Sequence, residues 1–130
     1  MASYLRPPRL DQALAYAADG PRVVVAGGTD HYPARVGRED GEDVLDISAI
    51  AGLRGVAEGD SGWRLGALTT WTDLIEAPLP PLFDGLKLAA REIGGVQIQN
   101  RGTLGGNLCN ASPAADGVPA LLALDAEVEL

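Results

Sequence analysis

The stretch "IQNRGTLGGNLCNASPAADGVPALLALDAEVEL", residues 98–130, joins a segment rich in Gly and Asn to an apolar run. Together with the two residues before it, the first part of this stretch predicts an extended, turn-rich segment over residues 96–116. The apolar run predicts a helix from about Pro119, and "EVEL", residues 127–130, predicts the beginning of a β-strand. A Gly-Gly pair followed by Asn is typical of a loop whose backbone approaches a ligand closely.

A second Gly-Gly pair lies upstream in "VVVAGGTDH", residues 23–31. We call residues 26–30 the first glycine loop and residues 103–107 the second glycine loop. Both contain side chains that can hydrogen-bond, and successive backbone N–H groups in such turns can form a concave anion site. Together they predict a neutral cradle for a diphosphate, with Asp116 placed to accept a ribose or ribityl hydroxyl.

Neither glycine loop carries a familiar nucleotide-binding pattern. The chain has no G-x-G-x-x-G after a strand and no G-x-x-x-x-G-K-[ST]. Glycine-rich segments are also common turns without a ligand, so the pattern leaves that alternative open.

Periodicity and turn signals divide the chain into short alternating elements. They predict helices in residues 10–19, 70–77 and 82–95, strands in 22–27 and 43–48, a helical turn in 49–56 and a hairpin in 55–68. Residues 29–40 predict a loop or a short, proline-interrupted helix. A division near residue 54 is expected to separate a β–α lobe, residues 1–54, from a second α+β lobe, residues 55–130.

Composition and charge exclude several classes of protein. With 46% hydrophobic residues in 130, the chain can fill a core, and its formal net charge of −8 disfavours binding to nucleic acid. A single cysteine, Cys109, cannot hold an iron–sulfur cluster or a structural zinc, so no metal site is expected. Without an apolar run of about 20 residues or a signal peptide, no membrane span is expected and the protein is expected to be cytoplasmic.

Four segments, in order, carry a family resemblance. They are "VVAGGTDHYPARV", "DISAIAGLRGV", "RLGALTTWTDL" and the stretch quoted first, and they resemble the flavin-binding subunits of molybdenum hydroxylases. These include the medium subunit of carbon monoxide dehydrogenase and the FAD domain of xanthine dehydrogenase. The resemblance implies an α+β fold of the vanillyl-alcohol oxidase type, in which FAD lies between two lobes. It also implies a further C-terminal portion, so the chain is expected to be a fragment or a truncated gene product.

The resemblance implies which residues bind FAD. On the first side they are Val24, Val25, Ala26, Gly27, Gly28, Thr29, Asp30 and His31, and on the second side Thr103, Leu104, Gly105, Gly106 and Asn107. Asp116 matches a cofactor-binding aspartate, and Ile93 falls where an apolar or aromatic residue packs near the flavin. No residue is expected to be catalytic, because the redox chemistry belongs to the flavin.

The implied function is that of an FAD-dependent oxidoreductase subunit. A large subunit with the molybdenum cofactor and a small iron–sulfur subunit would be its partners, and electrons would pass from the clusters through FAD to an external acceptor. The alternative is a truncated, non-catalytic remnant or docking module that binds a nucleotide weakly.

Single residues outside the two loops predict mainly structural roles. Trp63 and Trp71 are expected in the core or at a subunit face, and Cys109 is expected to be a small buried hydrophobe. The only histidine, His31, is expected on a surface loop without catalysis.

Overall fold

The computed structural model describes residues 2–29, 31–34 and 41–130, and it shows mixed helices and strands. A three-stranded parallel sheet in the order β1-β3-β2 is formed by β1 (Tyr4–Leu5), β2 (Val23–Val25) and β3 (Val44–Asp46). In its register Tyr4 pairs with Val44, and Val25 pairs with Asp46. The carboxyl ends of β2 and β3 therefore lie side by side.

Two helices accompany this sheet. The helix α1 (Leu10–Ala18) buries Ala13 against it, and the short α2 (His31–Ala34) follows the first glycine loop. A 3₁₀ turn, Ala51–Leu53, then leads into an antiparallel hairpin of β4 (Val56–Gly59) and β5 (Gly62–Leu65). This hairpin was predicted from its "GDSG" turn.

The remaining residues are mostly helical. The helices are α3 (Trp71–Glu76), α4 (Asp84–Arg91, preceded by a 3₁₀ turn at Pro81–Phe83), α5 (Val96–Arg101), α6 (Leu104–Asn110) and α7 (Gly117–Ala123). Thr70 caps α3, as predicted, because its side chain accepts the N–H of Asp73 while the Asp73 carboxylate accepts the N–H of Thr70.

Two hydrophobic clusters form the core. One packs α1 against the parallel sheet through Ala13, Leu45, Ile50 and Leu68. The other is larger and lies among α3, α4 and the start of α6, where its buried members are Trp71, Phe83, Leu86, Leu74, Ala90 and Leu104. Trp63 packs on Phe83 edge to face, with the ring centroids 5.2 Å apart. The tryptophans were expected in the core or at a subunit face; Trp71 is buried in the core, and Trp63 is half-buried and packs against it.

A polar cluster closes the amino end of the parallel sheet. Asp43 accepts hydrogen bonds from the backbone N–H and the hydroxyl of Ser3, both at 2.8 Å. The guanidinium of Arg22 lies 3.3 Å from the other Asp43 oxygen and stacks over the Tyr16 ring at 4.3 Å. These contacts join β1, α1, β2 and β3 at the end of the sheet away from the glycine loops.

Three predictions made from the sequence are wrong. Residues 96–110 are not extended but form α5 and α6. Residues 127–130 form no strand, because no described strand pairs with them. Cys109 is exposed instead of buried, since it lies near the end of α6. By contrast, α7 is confirmed and begins at Gly117, two residues before the predicted Pro119.

The longest described helix, α1, has nine residues. Over residues 2–29, 31–34 and 41–130, no helix has the length and apolar content required to cross a membrane.

Candidate cofactor-binding site

The first glycine loop follows the carboxyl end of β2, which is an edge strand of the parallel sheet. Val25 is buried, whereas Val24 points to the other face and is 58% exposed. Ala26, Gly27, Gly28 and Thr29 are half-buried. Asp30 lies outside the described residues, so its predicted role stays a prediction.

Gly27 brings the two glycine loops together. A Cβ atom placed at Gly27 would lie 1.9 Å from the carbonyl oxygen of Arg101 and 3.3 Å from the N of Gly102. The backbone of the first loop therefore lies directly against the residues that lead into the second loop. Only glycine allows this approach, because any Cβ would overlap the Arg101 carbonyl unless the backbone of one segment moved.

The first glycine loop presents free hydrogen-bond donors. Within the described part of the chain, the backbone N–H groups of Gly27, Gly28 and Thr29 donate to no protein acceptor. Gly28 has a φ of +73°, and its Cα faces the Tyr32 ring, which a Cβ would approach to 2.5 Å. The carbonyl of Gly28 accepts the N–H of Tyr32 at 3.2 Å. Three neighbouring, half-buried donors of this kind suit an anion.

The second glycine loop differs, because its donors are already used. Leu104 N–H donates to the Thr69 carbonyl at 3.0 Å, and Gly105 N–H donates to the Ala67 carbonyl at 2.8 Å. Gly106 N–H donates to Thr103 Oγ1 and Asn107 N–H to the Thr103 carbonyl, both at 3.0 Å. The expectation of a second backbone anion nest is therefore wrong for residues 104–107. The segment is the capped first turn of α6, and its glycines serve close packing.

Gly105 shows why this turn needs glycine. A Cβ there would lie 2.9 Å from the Ala67 carbonyl oxygen and 3.0 Å from the Ala67 Cβ. The β-bridge between Thr70 and Thr103 holds the same region from the other side. The second glycine loop is thus fixed by the chain that precedes α3.

Asn107 connects the second loop to the segment of Asp116. Its Oδ1 atom is buried and accepts no hydrogen bond, and a Cβ at Gly117 would lie 2.9 Å from it. A buried acceptor without a donor is uncommon in proteins, so this side of the site is polar and incomplete. Asp116 itself is exposed and borders an open groove of about 430 Å³ between α4 and α7.

Ile93 and His31, the remaining predicted residues, lie outside the two glycine loops. Ile93 follows the end of α4 and packs, half-buried, against the larger hydrophobic cluster. Its predicted contact with a flavin stays a prediction. His31 begins α2, and its ring meets Tyr32 edge to face with centroids 5.0 Å apart. It therefore lies in a short helix and not in a loop.

A buried carboxylate beside the first loop was missed from the sequence. Asp46 ends β3 opposite Val25 and is 8% exposed. It accepts hydrogen bonds from the Tyr4 hydroxyl and from Ser48 N–H at 2.9 Å, and Arg6 Nε lies 3.7 Å away. The signal available was "DIS" at the end of a predicted strand, because side chains there gather at the ligand-binding edge of a parallel sheet.

Hydrogen bonding sets the ionisation of this pair. Burial raises the pKa of Asp46, but hydrogen bonds from Ser48 and Tyr4 outweigh burial, so the pKa is lowered overall. The same hydrogen bond, together with burial, raises the pKa of Tyr4 to about 12. At neutral pH the site edge therefore holds a carboxylate bound to a neutral phenol.

The donor set fits an elongated ligand with an anionic part and hydroxyl groups. Gly27, Gly28 and Thr29 offer N–H groups to an anion, while Asn107 Oδ1 offers an acceptor that a hydroxyl would satisfy. FAD has both features in its diphosphate and its sugar and ribityl hydroxyls. The residues present therefore fit this cofactor.

Comparisons with known proteins also indicate that the chain binds FAD. A sequence profile of the family described as "FAD binding domain in molybdopterin dehydrogenase" matches residues 1–130. The chain is 38% identical over 138 aligned positions to the putative xanthine dehydrogenase FAD-binding subunit XdhB of Escherichia coli K12, across 99% of this chain and 46% of that protein. It is 36% identical to the nicotinate dehydrogenase FAD-subunit of Eubacterium barkeri, across 98% of this chain and 45% of that protein.

Solved structures show the same fold. A chain of the reconstituted CO dehydrogenase from Oligotropha carboxidovorans superimposes with a TM-score of 0.75 at 28% identity, covering 90% of this chain and 42% of that one. The chain thus spans just under half the length of the curated relatives it matches. The resemblance stated from the sequence and its FAD cofactor are confirmed. The chain belongs to the family of FAD-binding domains in molybdopterin dehydrogenases.

Proposed function

We propose that this chain is part of the flavin subunit of a molybdenum-containing hydroxylase or dehydrogenase. In this role it binds FAD and passes electrons from iron–sulfur clusters to an external acceptor. The partners are a large subunit with the molybdenum cofactor and a small iron–sulfur subunit. The family match and the relatives' own descriptions as FAD subunits of dehydrogenases support this proposal.

One observation within the chain supports the proposal most directly. The contact of Gly27 with the Arg101 carbonyl joins the free donors of the first loop to the second loop. A diphosphate bound at Gly27–Thr29 N–H groups would therefore extend along the surface of Gly106 and Asn107. The protein would bind the anionic part with neutral dipoles, which is compatible with its net charge of −8.

The two sides of the site have different tasks in this proposal. The first loop donates to the phosphates, and the second loop supplies a rigid, Cβ-free surface. Asn107 Oδ1 and Asp116 accept hydrogen bonds from hydroxyl groups of the cofactor, and Ile93 adds an apolar contact. Bound FAD supplies one- and two-electron chemistry, while the chain supplies binding, orientation and electrostatics.

We further propose that FAD lies between two lobes, residues 1–54 and 55–130, in a fold of the vanillyl-alcohol oxidase type. The two hydrophobic clusters support two packing units, although Leu68 packs in the first cluster. The contact at Gly27 then lies where the two units meet, which suits a cofactor held between them.

A titration with matched ligands tests the proposal. FAD and ADP-ribose share the diphosphate, whereas riboflavin lacks it, so calorimetry should show FAD binding with a micromolar or smaller Kd and ADP-ribose binding more weakly. Riboflavin should bind much more weakly than FAD. Absence of saturation by FAD would contradict the proposal and favour a remnant or docking module.

A further inference from the structure

Trp71 is the most buried aromatic side chain near the site and lies between two glycines. It is 1% exposed. A Cβ at Gly102 would lie 3.1 Å from its Cδ1 and 3.3 Å from its Nε1. A Cβ at Gly117 would lie 2.7 Å from its Cη2 and 3.4 Å from its Cζ2. The two glycines therefore contact the five-membered and the six-membered ends of one indole, both along the side that carries Nε1.

Each of these glycines is covalently joined to one side of the candidate site. Gly102 immediately precedes Thr103, and its carbonyl accepts the backbone N–H of Trp71 at 3.2 Å. Gly117 immediately follows Asp116 and lies against Asn107 Oδ1. The indole thus separates the start of the second glycine loop from the segment that carries Asp116.

The first glycine loop belongs to the same arrangement. The Gly102 N lies 3.3 Å from the position of a Gly27 Cβ, so Trp71, Gly102 and Gly27 form a continuous packed row. Protein interiors are close-packed, and glycine has no side chain that could absorb a shift. A larger side chain there would therefore move backbone on at least one side, and a smaller one would leave space into which the backbone can shift.

We propose that Trp71 is a positioning residue for the cofactor site, because the length of its indole sets the distance between the glycine loops and Asp116. This inference rests on the proposed function, since it concerns how the same site holds FAD. Trp71 does not touch the cofactor, because its ring is enclosed by protein.

Trp63 provides a matched control. It is half-buried, packs against the same hydrophobic cluster and contacts Phe83, but none of its atoms is among the three nearest to a Cβ at any described glycine of the site. Replacing either tryptophan by phenylalanine removes similar volume from one core. Only Trp71→Phe removes the spacer between Gly102 and Gly117.

The test compares FAD affinity and thermal unfolding in Trp71→Phe and Trp63→Phe of the same protein. We expect Trp71→Phe to raise the Kd for FAD about tenfold or more and to change the visible circular dichroism of bound FAD. We expect both variants to lower Tm, Trp63→Phe by less because its ring is only half-buried, and we expect Trp63→Phe to leave Kd and dichroism unchanged. Equal Kd values in both variants and the wild type would overturn the inference alone.

A second variant keeps the test decisive if Trp71→Phe does not fold. Gly117→Ala places a methyl group against Cη2 while Trp71 stays, and we expect it also to weaken FAD binding. The Gly117→Ala methyl also lies 2.9 Å from Asn107 Oδ1, and that contact stays in the double variant Trp71→Phe/Gly117→Ala. The double variant does relieve the contact with the indole, so it should bind FAD more tightly than Gly117→Ala alone. A double variant that loses affinity additively would overturn the inference, and wild-type protein without FAD binding would overturn it together with the proposed function.

Discussion

A Cβ atom at position 27 would clash with the backbone of Arg101. The Arg101 carbonyl oxygen would be 1.9 Å away and its carbon 2.6 Å away, and both belong to backbone held at the end of α5. A flexible side chain could move aside, but this contact joins main chain to main chain. At the scale of single residues, Gly27 therefore determines how closely the glycine loops approach.

Gly27→Ala should separate the two loops. We expect a loss of about 1–3 kcal/mol in the free energy of unfolding, as in other overpacked sites, and FAD binding weaker by about tenfold or more. Chemical denaturation and an FAD titration measure the two effects. Gly52→Ala is the control, because a Cβ there meets no atom within 4 Å, and it should change stability by less than about 0.5 kcal/mol. Equal behaviour of the two variants would contradict the prediction.

At the scale of elements, α6 is the unexpected helix. It contains Gly105 and Gly106, which each disfavour an isolated helix by about 1 kcal/mol relative to alanine. Its first turn is nevertheless fixed, because Thr103 caps it and the Thr69 and Ala67 carbonyls accept its N–H groups. Contacts from outside the helix thus outweigh its weak intrinsic propensity.

The Thr103 hydroxyl should be required for this turn. Thr103→Val keeps the shape but leaves Gly106 N–H without its acceptor, and we expect a loss of about 1 kcal/mol in unfolding free energy with weaker FAD binding. Thr103→Ser keeps the oxygen and should bind FAD like the wild type. Denaturation and titration of both variants provide the measurement. A valine variant that matches the serine variant would show that the cap is not what fixes the loop.

The elements that were predicted correctly depend on local signals. The hairpin follows from its turn, α3 from its capping box, and β2 from a β-branched run stopped by Gly27. The missed or wrong elements depend on distant partners. β1 has only two residues and exists through parallel pairing with β3, whereas residues 127–130 have strand-like composition but no described strand beside them.

In the candidate site, too, features with local sequence signals were predicted and features that depend on distant partners were not. Its glycines were predicted from the sequence and the family resemblance, and Gly27 does join the two loops. The sequence could not predict that the backbone N–H groups of residues 104–107 are already hydrogen-bonded, because their acceptors lie at Ala67, Thr69 and Thr103. Asp46 was missed because its partner Tyr4 is far away in the chain.

At the scale of the whole molecule, carboxylates join its parts. Asp43 closes the amino end of the parallel sheet, and Asp46 lies at its carboxyl end. Asp73 completes the capping box of α3 and receives two hydrogen bonds from Arg54, at 2.7 and 2.8 Å. Hydrogen bonds from Arg54 lower the pKa of Asp73, and hydrogen bonds from Ser3 lower that of Asp43.

These pKa values determine how stability depends on pH. Each carboxyl has a lower pKa in the folded protein than the unfolded value of about 3.9, so its contribution is complete above that value and is lost as pH falls below about 4. The free energy of unfolding should therefore decrease steeply on acidification. In Asp46→Asn the protein should be less stable at neutral pH, and its difference from the wild type should shrink in acid. Denaturation at several pH values measures this, and a difference independent of pH would contradict it.

The unequal use of backbone donors in the two glycine loops has a consequence for exchange with solvent. The amides of residues 104–107 are hydrogen-bonded before any ligand arrives, so they should exchange slowly for deuterium in the apoprotein. Those of Gly27, Gly28 and Thr29 have no acceptor among the residues that the structure describes, and they should exchange fast until an anion covers them. The entropy lost on cofactor binding would then fall mainly on the first loop, while the second acts as a preformed template.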